Sequence, residues 1–321
     1  MIKPRISVII PVLNESENIS IIYEEIISVF KKNNNSFEII FVNDGSQDST
    51  QEEIEKIFKK DKLHIKAIQF RNNFGKASAL RAGFQLAKGE IIVTLDGDLQ
   101  DDPHELPKFI DKIEAGYDLV CGWKKHRKDS FIKNNSSKLF NAFTNSISEV
   151  KLHDFNCGFK AYRSEVAKGI NLYGELHRYI PVLLASQGYN ICEVSIEHRK
   201  RKYGKSKYGS QRFMHGFFDL LTVVFITRFK TRPLHFFGYF GLSFFFLGLI
   251  FSLYLTYIKL FNHIAIGERP LLLFSIMLMI MGVQIGAIGI VGEQITTVIN
   301  RNESNYSIKK ILQKPDNENN E

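Results

Sequence analysis

The sequence contains few cysteines. Only three occur in 321 residues, Cys121, Cys157 and Cys192, and no two of them form a CxxC pair. A disulfide scaffold and a cysteine-rich zinc site are therefore not predicted, and a reducing compartment fits this usage. The chain is 44% hydrophobic and 24% charged, which excludes a disordered or collagen-like protein for most of its length.

Two common phosphate-binding sequences are also missing. There is no GxGxxG, so the dinucleotide-binding fingerprint is absent, and Gly75-Lys76 does not end a P-loop because position 70 is Phe70. A secretory signal peptide is not predicted either. The apolar stretch near the N-terminus is short, broken by Pro11 and followed by polar residues.

Positive charge is in excess. The formal net charge is +8 and the isoelectric point is about 9.2. This balance favours an anionic partner, such as a membrane surface, a phosphorylated lipid or a nucleotide. Nucleic-acid binding would depend on net charge alone, and we do not predict it.

The first 95 residues alternate between short apolar runs and amphipathic stretches. Strands are predicted at 6–13, 37–42, 65–70 and 90–95, and helices at about 19–32, from Ser49-Thr50, and at 76–87. This order predicts an α/β fold with a parallel sheet of right-handed βαβ units. Ligands of such sheets bind beyond the carboxyl ends of the strands. Polar clusters follow those ends at 14–17, 43–46, 71–76 and 96–102.

Two later runs, 236–258 and 271–292, contain no formal charge. Each can cross a hydrocarbon core of about 30 Å, and the short linker at 259–270 predicts a hairpin. Lys and Arg are concentrated outside the two runs, so the positive-inside rule predicts that both termini are cytoplasmic. The glycines from Gly282 to Gly292 are interpreted as packing within the hairpin, with contact in a homo-oligomer as the alternative.

These features predict four parts of the chain. A catalytic domain is expected over 1–209, an amphipathic interfacial helix and linker over 210–232, the transmembrane hairpin over 233–300, and a cytoplasmic tail over 301–321. The interfacial helix is inferred from an apolar stripe beginning at Phe213 and flanked by basic residues. The alternative is a core helix of the first domain.

The segment Asp96-Gly97-Asp98 directly follows a predicted buried strand. Two carboxylates in one crevice repel each other unless a cation joins them. A hard divalent ion such as Mg²⁺ or Mn²⁺, itself bound to a diphosphate, would remove that repulsion. Asp101 and Asp102 precede a proline and are interpreted as a helix cap.

Other strand-end residues suit a nucleotide. Asp44 can accept hydrogen bonds from a base or ribose, and Lys76 can contact phosphates. Pro11, Leu13 and Glu15 can form one wall of the same pocket. The alternatives are a plain turn after the second strand and a solvated lysine at the start of a helix.

Six segments together carry a family resemblance. They are SVIIPVLNE at 7–15, VNDGS at 42–46, NFGK at 73–76, LDGDLQDDP at 95–103, DFNCGFKAY at 154–162 and RKYGKSKY at 201–208. The sequence resembles the family-two GT-A glycosyltransferases, and most closely the dolichol-phosphate mannose synthase group with its bacterial polyprenyl-phosphate sugar transferases. The resemblance covers about residues 6–301. One departure is Gly97, where alanine is frequent.

The resemblance implies a GT-A fold, Rossmann-like with a mainly parallel sheet, and a C-terminal transmembrane hairpin in the cell's inner membrane. It implies inverting transfer of a sugar from a UDP- or GDP-linked donor to a polyprenyl phosphate, with Mg²⁺ or Mn²⁺ as cofactor. It places Pro11, Leu13, Glu15 and Asp44 around the nucleotide, and Asp96, Asp98 and Gln100 around the metal and diphosphate.

The acceptor explains the basic residues. A phosphate monoester has a second pKa of about 6, so it is already nucleophilic and needs positioning more than a base. Residues 199–207 hold six Lys or Arg in nine positions. Arg201, Lys205 and Lys207 are the candidates there, and Arg127 belongs to a second cluster at 124–128. The alternative is a solvated basic loop attracted to anionic lipid headgroups.

Asp98 and Asp154 are the candidate catalytic residues. Asp154 would orient or deprotonate the acceptor, and a helix cap or salt bridge is the alternative. His177 and Arg178 can contact the diphosphate. The alternative is that His177 is an ordinary core histidine with its hydrogen bonds satisfied.

Three other functions fit the sequence less well. A glycan or other hydroxyl acceptor would make Asp154 indispensable as a base. A processive polysaccharide synthase is disfavoured because the only tryptophan, Trp123, is not in a QxxRW sequence. A non-enzymatic membrane anchor is disfavoured by the intact acidic motif.

Overall fold

The computed structural model describes residues 3–33, 35–125, 141–142, 144–146, 148, 150–199, 221–229, 232–263, 265–267 and 269–300. The chain divides into two compact units, Met1–Val223 and Val224–Glu321. The first contains the sheet, and the second contains two long apolar helices.

The first unit is built on a seven-stranded sheet. Its strands are β1 (Ile6–Val12), β2 (Phe37–Asn43), β3 (Ile65–Gln69), β4 (Ile91–Thr94), β5 (Leu119–Lys124), β6 (Lys160–Arg163) and β7 (Ile191–Ile196). The order across the sheet is β3-β2-β1-β4-β6-β5-β7. All neighbours are parallel except β6, which runs antiparallel to both β4 and β5. The predicted α/β fold with a mainly parallel sheet is confirmed.

Helices connect the strands. They are α1 (Ser16–Asn33), α2 (Thr50–Lys60), α3 (Lys76–Leu86), α4 (Leu106–Glu114), α5 (Ser164–Gly169) and α6 (Ile180–Ala185), with short 3₁₀ helices at Pro103–Glu105 and Leu176–Arg178. Every strand and helix predicted in the first 95 residues is present, and their ends differ from the prediction by a few residues at most.

Helices cover both faces of the sheet at β1. Val8 and Ile10 join a buried cluster with Ile22 and Ile26 of α1. Ile9 points to the opposite face, as strand geometry requires, and there it meets α3 at Gly83, where a Cβ atom would lie 2.5 Å from Ile9 Cγ2. Burial on both faces explains why β1 is an almost continuous apolar run rather than an alternating one.

A buried carboxylate ties together the edge of the sheet where the strands begin. Glu38 on β2 accepts hydrogen bonds from Ser7 Oγ at 2.6 Å and from Lys88 N at 2.7 Å, and it pairs with Lys66. Burial raises the pKa of Glu38, but the bonds from Lys66, Ser7 and Lys88 outweigh burial, so the net shift is downward. Glu38 therefore joins β1, β2, β3 and the turn before β4.

We expect Glu38→Gln to lower the free energy of unfolding by about 1–3 kcal/mol, because it removes the charged acceptor. Because the folded pKa is lowered, the wild-type contribution is present above the pKa of a free glutamate, about 4.3. It is lost as the pH falls below that value, through the lower pKa of the folded chain. Thermal unfolding in detergent, followed by circular dichroism at several pH values, measures both effects. The exposed Glu52→Gln variant is the control, and an equal loss there would contradict the assignment.

The second unit contains the hairpin. Helix α7 (Pro233–Phe261) and helix α8 (Pro270–Asn300) include the two predicted uncharged runs and extend beyond them. Both are long and apolar enough to cross a membrane, with mean hydropathies of 2.0 and 2.4. A π-helical turn at Phe225–Phe229 precedes them. Residues 210–220 of the predicted interfacial helix lie outside the described residues.

Small residues bring α7 and α8 into backbone contact. A Cβ atom at Gly282 would lie 2.6 Å from the carbonyl oxygen of Gly241, and one at Gly248 would lie 2.6 Å from that of Ser275. The hydroxyl oxygens of Ser252 and Ser275 are 3.2 Å apart. The glycines thus pack within the hairpin, as expected where dispersion and close approach replace the hydrophobic effect.

We expect Gly248→Ala to separate the two helices beside Ser275. In a chain carrying both Ser252→Cys and Ser275→Cys, oxidative cross-linking in membranes should then slow. Gly238→Ala is the control on the same helix, because a Cβ there would meet only Leu234 Cδ1 at 3.9 Å. Unchanged cross-linking in the Gly248→Ala chain would contradict this packing.

Candidate active site

Three loops meet where β1, β2 and β3 end. Asn14, which has a φ of 50°, accepts a hydrogen bond from Gln47 N at 2.8 Å and donates its own N–H to Ser46 Oγ at 2.9 Å. Gly45 lies so close to the backbone of Asn72 that a Cβ atom would approach its carbonyl carbon to 2.5 Å. The loops containing Asn14, Gly45 and Asn72 therefore form one continuous rim.

Asp44 holds part of this rim together. Its two carboxylate oxygens accept hydrogen bonds from Phe74 N at 2.7 Å and Gly75 N at 3.0 Å. Burial raises the pKa of Asp44, and these two backbone bonds oppose the rise only in part. The carboxylate thus fixes the loop that leads into Lys76. Its predicted contact with a base or ribose would use its remaining lone pairs.

Pro11, Leu13 and Glu15 follow one another at the end of β1, and all three are half-buried. Glu15 accepts a hydrogen bond from Asn18 Nδ2 at 2.6 Å, and its backbone N–H donates to Thr50 Oγ1 at 2.9 Å. The predicted wall is therefore brought to the same rim as Asp44. Its contact with a nucleotide stays a prediction.

Asp96 lies just beyond β4 and is surrounded by lysines. Lys76, the first residue of α3, pairs with Asp96 Oδ1. Burial raises the pKa of Asp96, but Lys76, Lys124 and Lys160 together outweigh burial and hold the pKa below its ordinary value. The potential at this carboxylate is therefore positive on balance, and Asp96 stays ionised at neutral pH.

Gly158 fits against the same carboxylate. A Cβ atom at Gly158 would overlap all three terminal atoms of the Asp96 side chain. The carbonyl oxygen of Gly158 accepts a hydrogen bond from Thr94 Oγ1 at 2.8 Å. The segment before β6 is thus bonded to β4, and its close approach restricts where the Asp96 side chain can lie.

Lys160 is a site residue that the sequence analysis missed. Its side chain is buried, and its ammonium donates hydrogen bonds to the carbonyl oxygens of Phe155, at 3.3 Å, and Cys157. It thereby closes the loop containing Gly158 and adds a positive charge near Asp96. The available signal was a single lysine within the otherwise uncharged run from Phe155 to Tyr162.

Asp101 corrects one prediction. We expected it to cap a helix together with Asp102, but its buried carboxylate pairs with Lys124 Nζ at 2.7 Å. Burial lowers the pKa of Lys124, and Asp101 and Asp96 raise it above its ordinary value. Only Asp102 is the cap: it accepts a hydrogen bond from His104 N at 2.9 Å at the start of Pro103–Glu105.

The acidic loop itself is tightly built. Gly97 packs against β1, where a Cβ atom would lie 2.7 Å from Val12 Cγ1, so the glycine that departs from the family pattern makes room for Val12. Leu99 is buried with a φ of 60°, an uncommon conformation for a residue with a side chain. Asp98 Oδ1 accepts a hydrogen bond from Gln100 N at 3.2 Å.

The donor set of this loop fits a hard divalent cation. Asp96, Asp98 and Gln100 supply carboxylate and amide oxygens, which Mg²⁺ and Mn²⁺ prefer. Among the described residues, no group of three His, Cys, Asp or Glu side chains could hold a metal. Mg²⁺ commonly takes only one or two protein carboxylates and fills its other positions with phosphate oxygens and water, so the two carboxylates of this loop match its ordinary needs.

Asp154 lies in the segment before β6 that also contains Gly158. It is 1% exposed, and its Oδ1 accepts a hydrogen bond from Asn156 N at 3.2 Å. Its backbone N–H donates to Glu193 Oε1 at 3.2 Å. The residue is thus fixed within a buried turn, directly before Phe155, whose carbonyl oxygen Lys160 binds.

The predicted acceptor-phosphate residues are not part of the described structure. Arg127, Arg201, Lys205 and Lys207 all fall outside the described residues, and their role stays a prediction. Lys124, from the same second cluster as Arg127, is engaged with Asp101.

A mainly parallel sheet with an acidic loop at the tip of a central strand is the architecture of the GT-A glycosyltransferases. Sequence comparison gives the family. Residues 7–170 match the profile of Glycosyl transferase family 2 and residues 232–298 match that of the GtrB C-terminal hairpin. The chain belongs to glycosyl transferase family 2.

Two relatives cover nearly the whole chain. The dodecaprenyl-phosphate galacturonate synthase of Rhizobium johnstonii is 35% identical over 96% of this chain and 93% of its own length. The undecaprenyl-phosphate 4-deoxy-4-formamido-L-arabinose transferase of Proteus mirabilis is 32% identical over 96% and 94%. The resemblance predicted from the motifs is confirmed.

Solved structures share the fold. Glucosyl-3-phosphoglycerate synthase from Mycobacterium tuberculosis, in complex with Mg²⁺ and UDP, has a TM-score of 0.53 and 18% identity, covering 70% of this chain and 79% of that one. The mannosyltransferase PcManGT from Pyrobaculum calidifontis, in complex with GDP-Man and Mn²⁺, has a TM-score of 0.50 and 19% identity, covering 70% and 63%. At these identities the likeness establishes the fold alone.

We expect Gly158→Ala to slow sugar transfer about 10- to 100-fold, because the added methyl group displaces the Asp96 carboxylate and misplaced groups at a reacting centre cost rates of this order. The measurement is release of nucleoside diphosphate from a nucleotide-sugar by membranes containing the chain. Gly169→Ala is the control, since a Cβ there would meet nothing within 4 Å. A full rate with Gly158→Ala would show that Asp96 need not occupy this position.

Proposed function

We propose that this chain transfers a sugar from a UDP- or GDP-linked donor to a polyprenyl phosphate, giving a polyprenyl-phosphate sugar with inversion at the anomeric carbon. The observation that carries the proposal is the ionised Asp96 beside Asp98, framed by Lys76, Lys124 and Lys160 at the tip of β4. The relatives at 35% and 32% identity are named for sugar transfer to such lipids.

The arrangement suits a nucleoside diphosphate that leaves with its electron pair. A divalent cation held by Asp96, Asp98 and Gln100 would supply charge neutralisation on the departing diphosphate. Lys76 stands at the N-terminus of α3, where both its own charge and the helix dipole favour an anion. These groups are fixed before the reaction, which is the condition under which electrostatic stabilisation is most effective.

The acceptor supplies its own nucleophile. A phosphate oxygen of the lipid attacks the anomeric carbon from the face opposite the diphosphate. The new carbon–oxygen bond forms as the bond to the diphosphate breaks. Because a phosphate monoester is mostly dianionic at neutral pH, no protein group has to remove a proton. The buried position of Asp154, held by Asn156 and Glu193, supports a role in orienting the site.

The hairpin supports a membrane location. We infer that α7 and α8 span the inner membrane, with both termini and the catalytic unit cytoplasmic. The support for this orientation is the excess of Lys and Arg outside the two uncharged runs. Anchoring restricts the search for an insoluble acceptor to the membrane surface. The basic segment that includes Arg201, Lys205 and Lys207, together with Arg127, would bind the acceptor phosphate there.

We expect membranes containing the chain to transfer label from UDP-glucose, UDP-galacturonate or GDP-mannose, radiolabelled in the sugar, into a lipid that is extracted by organic solvent and labile in mild acid. Asp98→Asn should lower this labelling by about 100-fold or more, since it removes a carboxylate that would bind the metal. Omission of Mg²⁺ and Mn²⁺ should have the same effect.

The exposed Asp111→Asn variant on α4 is the matched control and should keep the wild-type rate. Unchanged labelling in the Asp98→Asn chain would remove the metal assignment. Label that enters a water-soluble glycan and not a lipid would favour the hydroxyl-acceptor alternative.

A further inference from the structure

The proposed chemistry does not use His177, a titratable side chain near the acidic loop. It lies on the 3₁₀ helix Leu176–Arg178, which packs against α3, the helix that begins with Lys76. Its Nδ1 atom is buried and has no hydrogen-bond partner among the described residues. The side chain as a whole is only half-buried.

Three other histidines of the first unit pair with carboxylates. Nδ1 of His64, His104 and His153 each lies 2.7–2.9 Å from a carboxylate oxygen. A buried polar group without a partner costs about 1–3 kcal/mol, and such groups in native proteins call for an explanation. The interpretation of His177 as an ordinary satisfied core histidine is therefore not supported.

The surroundings of His177 place it with the site's charged groups. Burial lowers its pKa, the charges of Lys76, Arg178 and Lys160 lower it further, and Asp96 acts in the opposite direction. The imidazole is consequently neutral at physiological pH. It shares the electrostatic environment of Lys76 and Asp96, the pair at the centre of the site.

We propose that His177 is a specificity-determining residue that hydrogen-bonds a hydroxyl group of the donor sugar. This inference rests on the proposed function. The lysines provide the charge that a diphosphate requires, whereas a neutral imidazole matches a neutral hydroxyl, which can both donate and accept. On binding, a half-turn of the ring about its two-fold torsion would exchange Nδ1 with Cδ2 and turn the unpartnered Nδ1 from its buried position towards the hydroxyl.

The test compares the binding of nucleotide-sugars with that of the matching nucleoside diphosphates. Calorimetry on the full chain in detergent with Mn²⁺ gives dissociation constants for UDP, UDP-glucose, UDP-galacturonate, GDP and GDP-mannose. We expect the wild type to prefer one nucleotide-sugar over its own nucleoside diphosphate. His177→Leu should remove about 5- to 10-fold of that preference and leave the affinity for the nucleoside diphosphate within about twofold. His177→Gln, neutral and able to donate and accept, should restore part of it.

Thermal unfolding without ligand separates this role from a structural one. His177→Leu should leave the unfolding temperature unchanged or raise it, because the variant removes a buried group that has no partner. His64→Leu is the matched control. His64 pairs with Asp61 and stacks on Phe37 at 4.5 Å, so its loss should lower the unfolding temperature and keep the preference for the sugar.

Several outcomes would overturn the inference. Equal weakening of nucleotide-sugar and nucleoside diphosphate by His177→Leu would place His177 at the diphosphate. A lower unfolding temperature with an unchanged preference would make it a core residue. If the wild type binds each nucleotide-sugar and its nucleoside diphosphate equally well, no contact with the sugar contributes to binding and the inference is wrong. A wild type that binds none of the five ligands would instead contradict the proposed function itself.

Discussion

The ionisation of Asp96 is the condition on which the rest of the site depends. Burial opposes that charge, and Lys76, Lys124 and Lys160 overcome the opposition. The three lysines come from α3, β5 and β6, which lie far apart along the chain and converge only through the strand order β1-β4-β6-β5. The charge at the tip of β4 is therefore a product of the completed fold rather than of the local sequence.

The reversed direction of β6 explains how the segment from Asp154 to Lys160 reaches that tip. In an otherwise parallel sheet, an antiparallel strand begins at the edge where its neighbours end. Lys160 accordingly lies opposite Thr94, the last residue of β4. The residues just before it, including Gly158, are left against Asp96. Parallel strands contribute to this edge only the loops that follow them. Because β6 is inverted, the residues that precede it lie at the same edge and add their side chains to the site.

Much of this could be predicted from the sequence. Strands that are buried on both faces stand out as apolar runs, and the loops that follow them stand out as polar clusters. The fold, the acidic loop and the cap at Asp102 could therefore be predicted. The pairing of Asp101 with Lys124, the loop closed by Lys160 and the unpartnered His177 were not. Each depends on which strands are neighbours and on the direction of β6, and neither is encoded in local periodicity. The contacts of Pro11, Leu13, Asp44 and Gln100 with a ligand stay predictions.

The fixed charges on Asp96 and Lys124 have a consequence for acidity. The pKa of Asp96 is lowered and that of Lys124 is raised, so neither group changes its charge between mildly acidic and mildly alkaline solution. A phosphate monoester passes from dianion to monoanion near pH 6, within that interval. The rate profile around neutrality then reflects the ionisation of the incoming lipid, and these two side chains provide a constant electrostatic background against which it can be measured.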